Sequence, residues 1–291
     1  MKKPQTHKTR APLPSRQELT PGDPGERLQK VLAQLGLGSR REIETWINEG
    51  RLQVNGQRAK LGDRCKFSDR VSLNGKPLNL QARKVTTRVL IYHKSVGELV
   101  SRRDPEGRPV VFTQLPKPER GRWIAVGRLD INTQGLLLLT TNGELANRLM
   151  HPSWQVEREY AVRVLGSVDD ARLERLQNGV MLEDGPARFE RIEVGGGEGA
   201  NRWFHVTFSA GRNRIVRRLW ESQGIIVSRL IRVRFGDISL PPELRTRCVY
   251  ELTADEVAAL MQSVDLEPEA TSPQAGAFEH RRPPHKGPRR Y

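Results

Sequence analysis

Asp130 sits in Gly127-Arg-Leu-Asp-Ile-Asn-Thr-Gln-Gly-Leu-Leu-Leu-Leu-Thr-Thr-Asn-Gly143, between a basic residue and a glycine-bounded apolar run. Ionised carboxylates are rarely set beside apolar segments unless something pairs with them. An ionised oxygen there can serve as nucleophile or base, or the side chain can simply cap a turn. Taken alone, the stretch favours the turn. Tyr160 lies in Glu157-Arg-Glu-Tyr-Ala-Val-Arg-Val164, which alternates like a strand, so its ring can face the core or a cleft. Gly211-Arg-Asn-Arg-Ile-Val-Arg-Arg-Leu219 opens a helix. Ile215, Leu219 and Trp220 give that helix one apolar face, and Arg212, Arg214, Arg217 and Arg218 surround it. Such a cluster reads as a solvated or phosphate-contacting face.

These residues need a frame to hold them. The run 136–140 is short, apolar and bounded by turn formers, which predicts a buried strand with Asp130 in the loop before it. Further strands are expected at 88–92, 159–164, 189–194, 203–208 and 230–235, and helices at 143–150, 169–177 and 214–223. Many strands, few helices and no regular βαβ alternation predict an α+β domain over residues 89–262, built on a mixed, mainly antiparallel sheet.

A smaller unit precedes it, at residues 25–80. Leu28, Val31, Leu32 and Leu35 fall on one helix face. Ser39-Arg-Arg-Glu42 is a capping box for a second helix with Ile43, Trp46 and Ile47 as its buried stripe. Asn55-Gly56 and Asn74-Gly75 mark two hairpins. Arg40 and Arg41 fall in the first turn of the second helix, away from the stripe, and suit phosphate contact. The unit carries eleven Lys and Arg against six Asp and Glu.

The whole chain has 291 residues and a net charge of +15, which favours a polyanionic partner, nucleic acid above all. Residues 1–24, with five prolines among basic residues, read as a disordered basic arm. Residues 81–88 read as a basic linker and 266–291 as a second disordered basic tail. No apolar run approaches membrane-spanning length and no signal-peptide core is visible, so a cytoplasmic protein without membrane contact is expected. Cys65 and Cys248 are far apart, and the six histidines lack metal-ligand spacing, so neither a disulfide framework nor a metal site is expected. Gly195-Gly-Gly-Glu-Gly199 has no following Lys-Ser or Lys-Thr and reads as a hairpin loop, not a phosphate cradle.

Gly-Arg-Leu-Asp130 followed by Thr-x-Gly-Leu-Leu-Leu resembles the catalytic motif of the pseudouridine synthases, in the RsuA family that modifies bacterial ribosomal RNA. The segment Arg27-Leu-Gln-Lys-Val-Leu through Gly-Ser-Arg-Arg-Glu to Val-Asn-Gly is similar to the S4 RNA-binding domain. Asp-Pro-Glu-Gly-Arg-Pro109, Gly-Arg-Asn-Arg214 and Arg-Leu-Ile-Arg-Val-Arg-x-Gly-Asp-Ile238 look most like the RluB group, which acts on 23S rRNA.

The resemblance implies an isomerisation in which the bond from ribose C1′ to uracil N1 breaks and C5 attaches instead, with no cofactor. It implies Asp130 as the essential residue, Tyr160 against the target uracil, and Arg217 paired with Asp130. Lys94 matches a further motif, Lys-Pro-x-Gly, with Ser95 replacing the proline, and Asn142 stands where Thr-Asp-Gly is usual. Expected RNA contacts are Arg27, Lys30, Arg40, Arg41, Lys94, Arg128, Arg212, Arg214 and Arg218. The expected partner is 23S rRNA, bound by a monomer. The alternatives are a 16S rRNA synthase and a non-catalytic S4-type ribosome assembly factor.

Overall fold

The computed structural model describes residues 25–80, 86–119, 121–197, 201–268 and 278–279. The expected basic arm 1–24, most of the expected linker 81–88, the end of the hairpin loop expected at 195–199 and most of the tail expected from 266 lie outside these residues. The chain divides into two compact units. The described residues up to 80, Gln34–Leu37 apart, form the first, and residues from 86 onward belong to the second.

In the first unit, helix α1 (Leu28–Gln34) buries Leu28, Val31 and Leu32. Helix α2 (Arg40–Asn48) starts at the predicted capping box, with Ser39 and Glu42 bonded reciprocally, and buries Ile43 and Ile47. Trp46 is only half-buried, and the Arg51 guanidinium lies 5.5 Å from its ring centroid. A four-stranded antiparallel sheet follows, in which Leu52–Val54 pairs with Val71–Leu73 at the centre. Its hairpins turn at Asn55-Gly56 and Asn74-Gly75, where all four residues have positive φ, as such turns require.

The second unit is organised on a ten-stranded sheet. Its main strands are β1 (Val89–Lys94), β2 (Gln134–Thr140), β3 (Arg158–Leu165), β4 (Arg191–Gly196), β5 (Asn201–Phe208), β6 (Ile226–Phe235) and β7 (Val249–Glu251). The order across the sheet is β4-β5-β3-β6-β2-β1-β7, and Phe278–Glu279 pairs with β7 at the edge. The region expected to be a structureless tail therefore supplies an edge strand. Val264 is fully buried and Leu266 packs on the core, so the packed unit also runs past 262. Among the described residues, every strand pairing within this sheet is antiparallel except one. β6 and β2 run parallel and share only Ile231↔Gln134 and Arg232↔Gly135.

Strand β2 is apolar throughout because both faces of the sheet are covered. Leu137 and Leu139 join the core cluster that contains Leu176 of helix α4 (Asp170–Asn178) and Trp220 of helix α5 (Ile215–Glu221). Leu136 and Leu138 join the other cluster, with Leu145 of helix α3 (Gly143–Met150) and Leu260 of helix α6 (Ala254–Gln262). Gly135 has φ +109°, and a Cβ there would fall 2.3 Å from the Arg232 carbonyl oxygen. Only glycine permits so close an approach of β2 to β6.

Candidate active site

The described cavity has a volume of about 650 Å³, and Asp130, Tyr160, Arg128, Arg212 and Arg214 all line it. Its floor is the turn Asp130–Thr133, closed by the Thr133 amide donating to the Asp130 carbonyl at 3.0 Å. All four carbonyls of this turn are captured. Lys94 Nζ donates to Asp130 O (3.0 Å) and Thr133 O (2.8 Å), and to Ser95 O (3.0 Å) beside its own strand. The Gly97 amide donates to Ile131 O at 2.8 Å. Arg217 Nη2 donates to Asn132 O at 3.0 Å, and its Nη1 to Val227 O at 2.9 Å. The backbone of the turn is thus anchored on the protein side by two buried cations. The Asp130 carboxylate is half-buried, lines the cavity, and makes no hydrogen bond or ion pair among the described residues.

Two expectations are corrected by this geometry. Lys94 is fully buried at the end of β1 and is not a surface contact for RNA. Arg217 is 9% exposed and makes no ion pair with Asp130, because its hydrogen bonds go to two backbone carbonyls. Each cation still feels the aspartate's charge, which favours its protonated form. Behind Lys94 lies Glu98, 1% exposed, which accepts from the Tyr92 hydroxyl (2.9 Å) and the Ser95 amide (2.9 Å) and faces Arg247 at 3.4 Å.

Burial pushes the Lys94 ammonium down from 10.5 to about 8, against the opposing pull of Glu98 and Asp130. Between these two values the unfolded chain keeps a proton that the folded chain has released. Stability therefore rises with pH across that window and is independent of this group below it. Urea midpoints measured from pH 7.5 to 10 should climb more steeply for the native chain than for Lys94→Met. Parallel curves would show that Lys94 does not titrate there.

Tyr160 lies on β3, 8% exposed, with its ring stacked on Phe208 at 5.5 Å between centroids. A register shift between Glu159 and Tyr160 interrupts the pairing of β3 with β6. Such bulges re-aim a side chain, and this one sits at the residue facing the cavity.

Arg212 and Arg218 converge on Asp184, with Arg212 Nε and Arg218 Nη1 each 3.0 Å from its Oδ2. These guanidiniums, Arg218 foremost, hold the Asp184 carboxyl well below the usual range. Arg218 does not line the cavity. Arg214 occupies the left-handed position before α5 at φ 46° and lies 3.8 Å from Glu221. In the first unit Arg27, Arg40 and Arg41 are exposed, and Lys30 pairs with Glu26 at 2.7 Å.

Two buried arginines of the cavity lining, Arg158 and Arg232, 8% and 2% exposed, were not among the expected site residues. The signal was present. Arg158 is two residues before Tyr160 on β3, so strand periodicity puts it on the same face.

Comparison with known proteins adds an independent line. The family described as RNA pseudouridylate synthase matches residues 88–222, and the S4 domain matches residues 26–71. The chain is 56% identical over 260 residues to the ribosomal large subunit pseudouridine synthase B of Escherichia coli (strain K12), covering 88% of this chain and 89% of that protein. It is 56% identical over 257 residues to the protein of the same name from Pseudomonas aeruginosa, covering 86% and 67%. The corresponding protein of Pasteurella multocida is 58% identical over 245 residues, covering 83% and 71%. A crystal structure of a pseudouridylate synthase superposes with a TM-score of 0.57 at 24% identity, covering 81% of this chain and all of that one, and supports the fold.

Proposed function

The chain belongs to the RNA pseudouridylate synthases that carry an N-terminal S4 domain, and on that premise we propose that it converts one uridine of the large-subunit ribosomal RNA, 23S rRNA, to pseudouridine. The observation that carries the site assignment is the Asp130 carboxylate. It is half-buried, without a protein partner, and fixed only through its backbone. A carboxylate kept for structure would be spent on hydrogen bonds. This one is left for a ligand.

The target base leaves its stack and enters the cavity, at a cost of a few kcal/mol. It lies against Tyr160, whose ring is held in place by Phe208. Asp130 supplies the ionised oxygen. The C1′–N1 bond breaks, C1′ joins C5, and the proton lost from C5 is balanced by one gained at N1, so reactant and product are isomers. Lys94 and Arg217 act as positioning residues through the turn. Arg128 contacts the entering strand at the rim. Arg27, Lys30, Arg40 and Arg41 supply phosphate contacts from the S4 unit, and Arg212, Arg214 and Arg218 supply them beside the cavity. Within the same proposal the enzyme works in the cytoplasm as a monomer.

Pseudouridine mapping across ribosomal RNA from cells with and without the gene tests the reading. One 23S position should disappear with the gene. A lost 16S position would move the substrate to the small subunit, and an unchanged map would leave a binding protein without this activity.

All the proposed catalytic residues lie in the second unit. Removing residues 1–80 should therefore weaken RNA affinity and its salt dependence, while the single-turnover rate at saturating RNA stays within about threefold. A folded truncation with no activity at saturating RNA would place part of the chemistry in the S4 unit.

A further inference from the structure

Arg158 and Arg232 bring two buried positive charges into the cavity without an anion to match them. Arg158 donates to the carbonyls of Val156, at 2.9 Å, and of Ser209. Arg232 Nε donates to the Leu136 carbonyl at 2.7 Å. Their guanidinium carbons lie 5.0 and 5.2 Å from the centroid of the same ring, Phe235. Neither makes an ion pair with a carboxylate among the described residues. Arg232 Nη2 is enclosed and has no acceptor. Thr133 Oγ1, on the same cavity wall, is also enclosed and unpartnered. Burial and the neighbouring Arg232 both push the Arg158 guanidinium downward, against Tyr160.

Carbonyl dipoles and an aromatic face offset only part of the cost of burying such charges, which runs to several kcal/mol per unpaired ion. Asp130 is not the missing anion. Its carboxylate makes no hydrogen bond or ion pair with either arginine, and its charge acts on Lys94 and Arg217. The two arginines flank Tyr160 in the sheet. Arg158 is two residues along β3, on the same face, and Arg232 is the register partner of Tyr160 across β6. Those neighbours lie about 5–7 Å from it in a sheet. A nucleotide whose base rests on Tyr160 therefore carries its backbone past them. Its base is uncharged, and the only anion it brings is phosphate.

We propose that Arg158 and Arg232 form an anion subsite inside the active-site cavity that takes one backbone phosphodiester adjoining the target uridine. The subsite rests on the reading that RNA enters this cavity. It would hold the extruded nucleotide by its phosphate while Asp130 acts on the nucleoside.

The test uses the full-length protein and a target-containing RNA fragment with one uncharged methylphosphonate linkage, placed immediately 5′ or 3′ of the target uridine. Dissociation constant and single-turnover rate are both read. With the native protein, one of the two linkages should cost about tenfold or more in affinity or rate, the scale of a charge-assisted hydrogen bond. With Arg232→Gln or Arg158→Gln the same linkage should cost under about twofold, because the partner is already gone. Independent, additive losses would overturn the subsite. So would a native protein indifferent to both linkages, a result that needs no variant to fold. Pseudouridine formation by the native protein on all-phosphodiester RNA checks the underlying function separately, and the affinity measurements need no turnover.

Discussion

Asp130→Asn is expected to lower single-turnover pseudouridine formation by at least about 10³-fold, more than 4 kcal/mol of barrier, with thermal stability and RNA affinity close to native. The asymmetry follows from how the residue is held. Its carbonyl is bonded by Lys94 and Thr133, and asparagine keeps that carbonyl unchanged. Its carboxylate supports nothing in the protein, so replacing it with an amide of equal size leaves no partner stranded. What disappears is an ionised oxygen in the cavity. A variant that turned over at the native rate would remove Asp130 from the chemistry. A variant that melted well below the native chain would mean that the carboxylate has a structural partner.

Arg217→Lys should cost about 10- to 100-fold in the same rate, the scale of one or two hydrogen bonds from a charged donor. The guanidinium spans two carbonyls on different elements, Val227 of β6 and Asn132 of the turn that holds Asp130. A lysine carries the charge but lacks the planar fork that reaches both. The turn loses one of its two cationic anchors, and the carboxylate two residues earlier loses its aim. Rate should fall at saturating RNA while affinity holds. A loss confined to affinity would make Arg217 a phosphate contact instead, and a rate within about twofold of native, under ~0.5 kcal/mol, would leave it no part in placing Asp130.

The sequence exposes this site unevenly, for physical reasons. The run Leu136–Leu139 reads correctly because a strand covered on both faces has no polar alternation to confuse it. Capping signals are local, so Ser39-Glu42 locates α2. The equivalent Thr253-Glu256 box opens α6, a helix that could have been read the same way and was not. Lys94 was expected among the RNA contacts, whereas its burial depends on carbonyls from residues 130 and 133, and no sequence pattern records which way a carbonyl points. The same holds for Arg217. The resemblance brings it to Asp130, but its hydrogen bonds are settled by backbone that packs around it. Arg158 was legible through its spacing from Tyr160, yet arginines are so often exposed that composition outweighed the alternation.

The single parallel contact in the sheet has a mechanical consequence. Asp130 precedes β2 and Tyr160 lies on β3, and in the described backbone ladder the two sides of the sheet are joined where β2 pairs with β6 over two residue pairs. That contact is a joint in the ladder, and the spacing of Asp130 and Tyr160 is the opening of a pair of jaws on either side of it. Glycine at 135 sets how tightly the joint closes. Bulk added there would spread the jaws and slow the enzyme while most of the hydrogen-bond ladder in each half stayed intact.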